Sequence, residues 1–242
     1  MMSRNSTRMM FPEIWVIVPA AGLGQRFGSK IPKQYATIRG RAILYRTIDR
    51  LAGLSSVRTI LVGLHPDDIW WDHNELGSGS AIQTFLGGQT RMQTVFNGLK
   101  QVAEKAHPDA WVLVHDAARP LVKVEDIKRL LALAGTDTNG GILACRSLDT
   151  LKIASQAGRV ERTEDRNTLW QALTPQLFPA RTLLAAVAAA LRAGIPCTDE
   201  AQAMENSGFQ PRLIESGRDN LKITTPSDLV LAEALFEQQE SQ

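Results

Sequence analysis

The chain of 242 residues is long enough to bury a substantial core as one large domain or two small ones. Its hydrophobic fraction of 44% is ordinary for a globular protein, and its net charge of +2 is too small for binding nucleic acid or a membrane surface through bulk charge. Cys145 and Cys197 are far apart, with no CxxC or Cys/His grouping. This argues against a disulfide framework and a structural zinc site, and fits a reducing cytoplasm.

Neither a leader peptide nor a membrane span is expected from the hydropathy of the chain. Residues 1–12 are polar and lack the apolar core of a signal peptide, so a disordered tail is expected there. No apolar run reaches the ~18 residues that a membrane span requires. No repeat, low-complexity segment or Pro/Gly/Ser-rich linker divides the rest, so residues 13–242 are predicted to form a single domain.

Strand-like and helix-like segments alternate through the first 145 residues. Residues 14–18 form a continuous apolar run, typical of a strand buried on both faces of a parallel sheet. The segments that follow are a helix over 42–51, strands over 57–64 and 80–88, a helix from Arg91 to Val102, a strand from 111 that runs into a loop by 120, a helix over 125–134 and a strand over 140–145. This order predicts an α/β fold with a Rossmann-like, mostly parallel sheet and helices on both faces.

Residues 145–168 break this pattern. The segment is strand-like on either side of a Gln156-Ala157-Gly158 turn and has few large apolar residues. Because an isolated two-stranded ribbon is marginal in water, it is either an exposed hairpin without consequence or an arm that packs on another surface. We favour an extended β-arm that packs on a second subunit.

The α/β pattern returns after the arm. A helix is predicted over 180–194, where Gly194 stops it, and a second helix with Thr198 as its N-cap and Gly208 as its stop. A strand over 209–217 and a capped final helix over 225–239 complete the prediction.

The loop after the first strand has the composition of an anion site. Gly22 and Gly24 permit positive φ and a close approach of backbone N–H groups to a phosphate. It is not a dinucleotide fingerprint, because Phe27 stands where a third glycine is needed, and no Gly-Lys-Ser/Thr of a Walker loop follows. Arg26 and Lys33 bring two cations to this loop, which suits a triphosphate or a phosphoryl group in a charged transition state better than a phosphate monoester.

Further motifs extend along the chain in a fixed order. They are PAAGLGQR…PKQY (19–35), GGQTRMQTVFNGL (87–99), VHDAARP (114–120), DTLK (149–152), DRNTLWQALTPQ (165–176), TDEA (198–201) and DNLKITTPSDL (219–229). Over about residues 14–237, the chain resembles the 2-C-methyl-D-erythritol 4-phosphate cytidylyltransferases, nucleotidyltransferases of the non-mevalonate isoprenoid pathway.

This resemblance implies that a cytidylyl group passes from CTP to 2-C-methyl-D-erythritol 4-phosphate and that pyrophosphate leaves. It implies Mg²⁺ held mainly through the CTP phosphates, and a homodimer with shared active sites. Another acceptor, such as ribitol 5-phosphate, is the alternative. A non-catalytic nucleotide-binding protein on the same scaffold would be expected to lose Arg26 or Lys33, and both are present.

The resemblance also assigns roles to individual residues. The implied catalytic cations are Arg26 and Lys33 for the triphosphate, and Arg166 and Lys222 for the acceptor phosphate. The positions implied for CTP are Pro19, Ala20, Ala21, Gly22, Gly24, Gly88, Thr94 and Ala117, together with Gln89, where the family often has an acid. The positions implied around the acceptor are Asp116, Arg119, Thr150 and Thr174. No protein ligand of the metal is assigned, and His115 is expected to be a packed histidine.

Overall fold

The described part of the chain comprises residues 13–22, 31–76 and 81–241 of a computed structural model. The predicted tail at 1–12 and the loop residues Gly24 and Arg26 lie outside these ranges. The strands are β1 (Ile14–Pro19), β2 (Thr37–Ile38), β3 (Arg41–Ala42), β4 (Val57–Leu64), β5 (Ala81–Leu86), β6 (Trp111–Val114), β7 (Gly141–Arg146), β8 (Lys152–Ala154), β9 (Val160–Thr163), β10 (Trp170–Pro179) and β11 (Arg212–Glu215). The α-helices are α1 (Ile43–Ala52), α2 (Arg91–Lys105), α3 (Val124–Ala134), α4 (Ala180–Arg192), α5 (Glu200–Asn206) and α6 (Pro226–Glu240).

The main sheet of the described residues has seven strands in the order β11-β7-β10-β6-β1-β4-β5. Strand β10 runs antiparallel to both of its neighbours, and the other pairs are parallel. The predicted mostly parallel α/β fold is therefore confirmed. Strand β10 was not predicted, because Pro175 interrupts its pattern and removes a backbone donor.

Helices cover both faces of this sheet, as predicted. Along β1, Val16 and Val18 belong to one buried cluster, which includes residues of α1 and α3. Trp15 and Ile17 belong to a second cluster, which includes residues of α2, α4 and α5. Because successive side chains of a strand point to opposite faces, this division explains why the apolar run is continuous.

The helix ends follow local capping rules, with one correction. The N-cap of α5 is Asp199, whose Oδ1 accepts the Gln202 N–H at 2.9 Å, and not Thr198 as predicted. Thr198 instead donates its N–H to the Gln202 side chain at 2.7 Å. Gly194 and Gly208 adopt positive φ just after α4 and α5, as the prediction of glycine stops requires.

The predicted arm contains a two-stranded antiparallel ribbon, β8 and β9, that is separate from the main sheet. The apolar side chains of Leu148, Leu151 and Val160 are exposed on this region, with 58%, 39% and 65% of their surface accessible. The ribbon is therefore confirmed as an element, while its dimerising role stays a prediction.

No helix in the described part of the chain has both the length and the apolar character needed to cross a membrane.

Candidate active site

A cavity of about 720 Å³ opens at the carboxyl ends of β1, β4 and β6, where the fold class predicts a ligand site. Many of the residues predicted from the sequence line it. These are Pro19, Ala20, Ala21, Gly22, Lys33, Gly88, Gln89, Thr94, Asp116, Ala117 and Lys222.

Other predicted residues lie elsewhere. Arg119 and Thr174 are buried behind Asp116 and contact it. Thr150 and Arg166 are exposed at the arm and are absent from the lining of the cavity in this chain, and Arg166 Nη1 donates to the Leu148 carbonyl at 2.8 Å. Gly24 and Arg26 lie outside the described residues.

Gln34 holds the start of the anion loop. Its Nε2 donates to the Ala20 carbonyl at 2.8 Å and to the Gly22 carbonyl at 3.1 Å, while the Ala20 N–H donates to Gly63 at the end of β4. Gln34 as a whole is only 4% exposed. Because carbonyl oxygens repel a phosphate, satisfying two of them with one amide prepares this loop for an anion.

Thr94 fixes the opposite wall of the cavity. Its hydroxyl donates to the Thr90 carbonyl at 3.0 Å and accepts the Gly88 N–H at 3.0 Å. A side chain at Gly87 would collide with Ala21, so this wall approaches the anion loop closely. Thr94 itself is only 1% exposed, so its hydroxyl acts by holding the backbone of Gly88 at the wall of the cavity. Gly88, which is partly exposed in the lining, is thereby placed to meet a bound base.

Asp116 is the centre of a buried ion cluster. Its Oδ1 accepts from Arg91 Nε at 2.9 Å, and its Oδ2 accepts from Lys222 Nζ at 2.8 Å and from Arg119 Nε at 3.4 Å. Burial alone would raise the pKa of Asp116, but the three surrounding cations outweigh it and hold the pKa well below the ordinary value. Asp116 is therefore ionised at neutral pH.

Arg91 also forms an ion pair with Glu200, which is completely buried at the start of α5. Burial would lower the pKa of Arg91, but Glu200 and Asp116 raise it above its ordinary value. Neither Arg91 nor Glu200 was assigned a role from the sequence. Both stand in quoted motifs, but they are 109 positions apart and no local pattern pairs them.

The loop that carries Lys222 is hydrogen-bonded to the loop after β6 and to β10. The Ile223 N–H donates to the Ala118 carbonyl at 2.9 Å, and Asn220 Nδ2 donates to the Thr174 carbonyl at 2.8 Å. Lys33 Nζ reaches the Ile223 carbonyl of the same loop at 3.2 Å. Two cations from distant parts of the chain therefore meet at one wall of the cavity.

His115 is a structural residue, as expected. Its Nε2 lies 3.1 Å from the Arg119 carbonyl, which can only accept, so Nε2 carries the proton. Its Nδ1 then accepts from the Thr174 hydroxyl at 2.9 Å, and that hydroxyl accepts the Asp116 N–H at 3.0 Å. Burial lowers the pKa of His115 from 6.5 to about 4, so the ring is neutral and fixes the backbone of Asp116.

This neutral histidine predicts a loss of stability in acid. Below pH ~6.5, His115 is protonated in the unfolded chain, whereas in the folded chain it stays neutral down to about pH 4. Acidification through this window therefore favours unfolding. The group should remove about 3 kcal/mol of unfolding free energy over that window. Denaturant unfolding at several pH values would measure it, with His115→Gln as the comparison. The variant should be less stable at pH 7 but should show the shallower fall with pH, and equal slopes would contradict this prediction.

The chain matches the family model of 2-C-methyl-D-erythritol 4-phosphate cytidylyltransferase over residues 14–238. The chain belongs to this family. A cytidylyltransferase of that name from Stenotrophomonas maltophilia (strain R551-3) is 45% identical over 220 residues, which cover 91% of this chain and 95% of the relative. One from Pseudomonas aeruginosa (strain PAO1) is 43% identical over 226 residues, covering 93% and 97%.

Solved structures of the cytidylyltransferase family share the whole fold. The crystal structure of the Francisella tularensis 2-C-methyl-D-erythritol 4-phosphate cytidylyltransferase aligns with a TM-score of 0.78 at 33% identity, covering 92% of this chain and 99% of the other. The Thermus thermophilus enzyme aligns with a TM-score of 0.74 at 32% identity, covering 92% and 98%.

Proposed function

We infer that this protein transfers a cytidylyl group from CTP to 2-C-methyl-D-erythritol 4-phosphate, giving 4-diphosphocytidyl-2-C-methyl-D-erythritol and pyrophosphate. Family membership over nearly the whole chain supports this reaction. The observation that carries it is that Lys33 and Lys222 face one cavity beside the anion loop, at the carboxyl ends of the parallel strands. The family does not favour the alternative acceptor, ribitol 5-phosphate.

The chemistry requires cations more than it requires a base. A phosphate oxygen of the acceptor attacks the α-phosphorus of CTP, and the bond from that phosphorus to the β-phosphate oxygen breaks. The attacking oxygen is already ionised, because the second pKa of a phosphate monoester is about 6. Lys33 is positioned to stabilise charge on the triphosphate, and Arg26 is proposed to act with it.

Lys222 is proposed to serve the acceptor. Its side chain is 40% exposed, and its ammonium group forms an ion pair with Asp116 at 2.8 Å. When the acceptor phosphate enters, Lys222 can pair with it while Asp116 stays held by Arg91 and Arg119. Asp116 is then beside the acceptor, where its carboxylate can accept from a hydroxyl of the polyol.

Mg²⁺ is proposed to bind mainly through the CTP phosphates. Among the described residues, no group of three or more His, Cys, Asp or Glu side chains is arranged to hold a metal. Around the cavity, Asp116 is committed to cations through both oxygens. This donor set fits an ion whose ligands come from phosphates and water, and the ion would neutralise charge on the triphosphate.

The arm is proposed to complete the site of a second subunit. In one chain Arg166 is exposed and away from the cavity, although the resemblance gives it the acceptor phosphate. The exposed Leu148, Leu151 and Val160 supply an apolar surface for packing on a partner. A symmetric homodimer would give two equivalent composite sites.

Free thiols at Cys145 and Cys197 agree with the proposed cytoplasmic location.

Product analysis tests the reaction directly. The purified protein would be incubated with CTP, Mg²⁺ and a panel of sugar-alcohol phosphates that includes ribitol 5-phosphate. We expect 2-C-methyl-D-erythritol 4-phosphate to yield the cytidine diphosphate product and equimolar pyrophosphate. Preferential use of ribitol 5-phosphate would replace the acceptor but keep the chemistry, and absence of pyrophosphate with every acceptor would refute the function.

The enzyme is expected to prefer CTP over UTP by at least ~10² in kcat/KM, because a mismatched polar group in a hydrogen-bonding site is left unpaired. The Thr94 hydroxyl holds the backbone of Gly88, and the polar groups around Gly88 are proposed to read the edge of cytosine. Thr94→Ser should keep this preference, whereas Thr94→Val should lose much of it. Steady-state kinetics with both nucleotides decides the matter, and comparable turnover of UTP by the wild type would contradict it.

A further inference from the structure

We propose that Glu200 is a positioning residue that acts through Arg91 to hold Asp116, and with it Lys222, at the acceptor side of the cavity. This inference rests on the proposed function and adds to it a residue that does not line the cavity.

The contact between Glu200 and Arg91 is a two-pronged ion pair. Arg91 Nη1 donates to Glu200 Oε1 at 2.6 Å, and Nη2 donates to Oε2 at 3.1 Å. The Glu200 side chain is 0% exposed, so the carboxylate has no contact with bulk solvent. Such a planar fork fixes the orientation of the guanidinium as well as its position.

The remaining Nε–H of Arg91 points to Asp116. Since Glu200 occupies both terminal nitrogens in the fork, Nε donates to Asp116 Oδ1 at 2.9 Å. Asp116 Oδ2 is thereby left to Lys222 at 2.8 Å and to Arg119. Glu200 thus decides which oxygen of Asp116 pairs with Arg91 and which pairs with Lys222.

Hydrogen bonds to the sheet hold the backbone around Glu200 in place. It is the first residue of α5, directly after the N-cap Asp199. Gln176 of β10 accepts the Ala201 N–H at 2.8 Å and donates to Asp199 Oδ2 at 2.9 Å. The start of α5 is therefore hydrogen-bonded to β10, and this fixes the position of the Glu200 carboxylate.

Charge alternates along this cluster. Glu200 and Asp116 flank Arg91, and Asp116 in turn lies between Arg91 and Lys222. Without the Glu200 charge, the guanidinium is free to turn and engage Asp116 with two N–H groups. That rotation would draw Asp116 Oδ2 away from Lys222, so both groups that serve the acceptor would lose their positions.

The test is Glu200→Gln, whose side chain is isosteric but turns an N–H₂ donor toward the guanidinium. We expect the KM for 2-C-methyl-D-erythritol 4-phosphate to rise ~10-fold or more, with the KM for CTP within about twofold of wild type. Asp126→Asn is the matched control. Asp126 is also a buried carboxylate, paired with Arg129 at 2.7 Å and Ser216 at 2.6 Å, but it lies outside the lining of the cavity. The control should lower thermal stability and leave both KM values unchanged.

A double-variant cycle tests whether Glu200 acts through Arg91. The effects of Glu200→Gln and Arg91→Met on the acceptor KM should be strongly non-additive, with the double variant no worse than the poorer single variant. If Glu200→Gln does not fold, Glu200→Asp keeps the charge, withdraws it by one methylene and should still raise the acceptor KM severalfold.

Three results would overturn the inference: an acceptor KM within about twofold of wild type in a folded Glu200 variant, equal changes in both KM values, or additive effects in the cycle. Failure of the proposed function is seen separately, because the wild type would then give no product from these substrates.

Discussion

Replacing Lys33 with alanine is expected to lower kcat by ~10²–10³ and to change the acceptor KM much less, since the lost cation stabilises charge that develops on the transferring phosphate. Lys33 lines the cavity and its Nζ lies 3.2 Å from the Ile223 carbonyl, beside Lys222. Arg26→Ala is expected to behave in the same way. Steady-state kinetics with each substrate varied separately measures both constants.

Two other lysines serve as comparisons for Lys33. Lys222→Ala should chiefly raise the acceptor KM, because Lys222 is proposed to bind the acceptor phosphate. Lys105→Ala removes an exposed lysine of α2 that contacts Gln83 and lies outside the lining of the cavity, and it should leave both constants unchanged. A Lys33→Ala enzyme with near-normal kcat would refute the proposed role of Lys33 in the transition state.

Mixing two inactive variants should restore activity if the arm of one subunit completes the site of the other. Lys33→Ala and Arg166→Ala homodimers should each be nearly inactive. In a mixed dimer, one site carries both lesions, while the other takes its body and its arm from unmutated regions. Random exchange makes half of the dimers mixed, so activity should recover to about a quarter of wild type. Activity is measured after dissociation and reassociation, with subunit exchange verified by two different tags.

The matched control mixes Lys33→Ala with Lys222→Ala. Both residues line the same cavity within one chain, so every site in such a mixture carries a lesion. Activity at an acceptor concentration well below the raised KM of Lys222→Ala should therefore not recover. Recovery in this control would show that the rescue comes from some other process. No recovery in the Lys33/Arg166 mixture, despite verified exchange, would leave the arm as a structural clasp only.

Most of the fold could be predicted from local patterns, and the exceptions have physical causes. Residues 14–18 and 57–64 are strongly apolar because both faces of the central strands are buried, so their strands are evident. Strand β10 gave no comparable signal, because it contains Pro175 and because the buried Gln176 finds its partners on α5 and its N-cap. The N-cap of α5 was misplaced by one residue because Thr198 and Asp199 are both good caps, and the choice depends on Gln202.

The part of the site that lies in one loop could be predicted from the sequence. The part that depends on contacts between distant residues was harder to predict. Gly22 and Lys33 follow a buried strand, which made an anion site evident from the sequence. Lys222 had no local signal and was identified through the family resemblance alone. Arg91 and Glu200 were not assigned, because a buried ion pair between distant residues appears only when the fold joins α2 to α5.

The position of β10 also fixes the order in which the sheet can be completed during synthesis. Strand β10 separates β6 from β7 in the sheet, yet it follows both of them along the chain. Until residues 170–179 leave the ribosome, β6 has an open edge and β7 lacks the neighbour that joins it to the parallel strands. A nascent chain that ends before Trp170 therefore cannot complete the sheet, although β1, β4, β5, β6 and β7 have already been made. Unpaired strand edges can pair with other chains, so the late arrival of one strand leaves the incomplete protein with an edge that is open to aggregation.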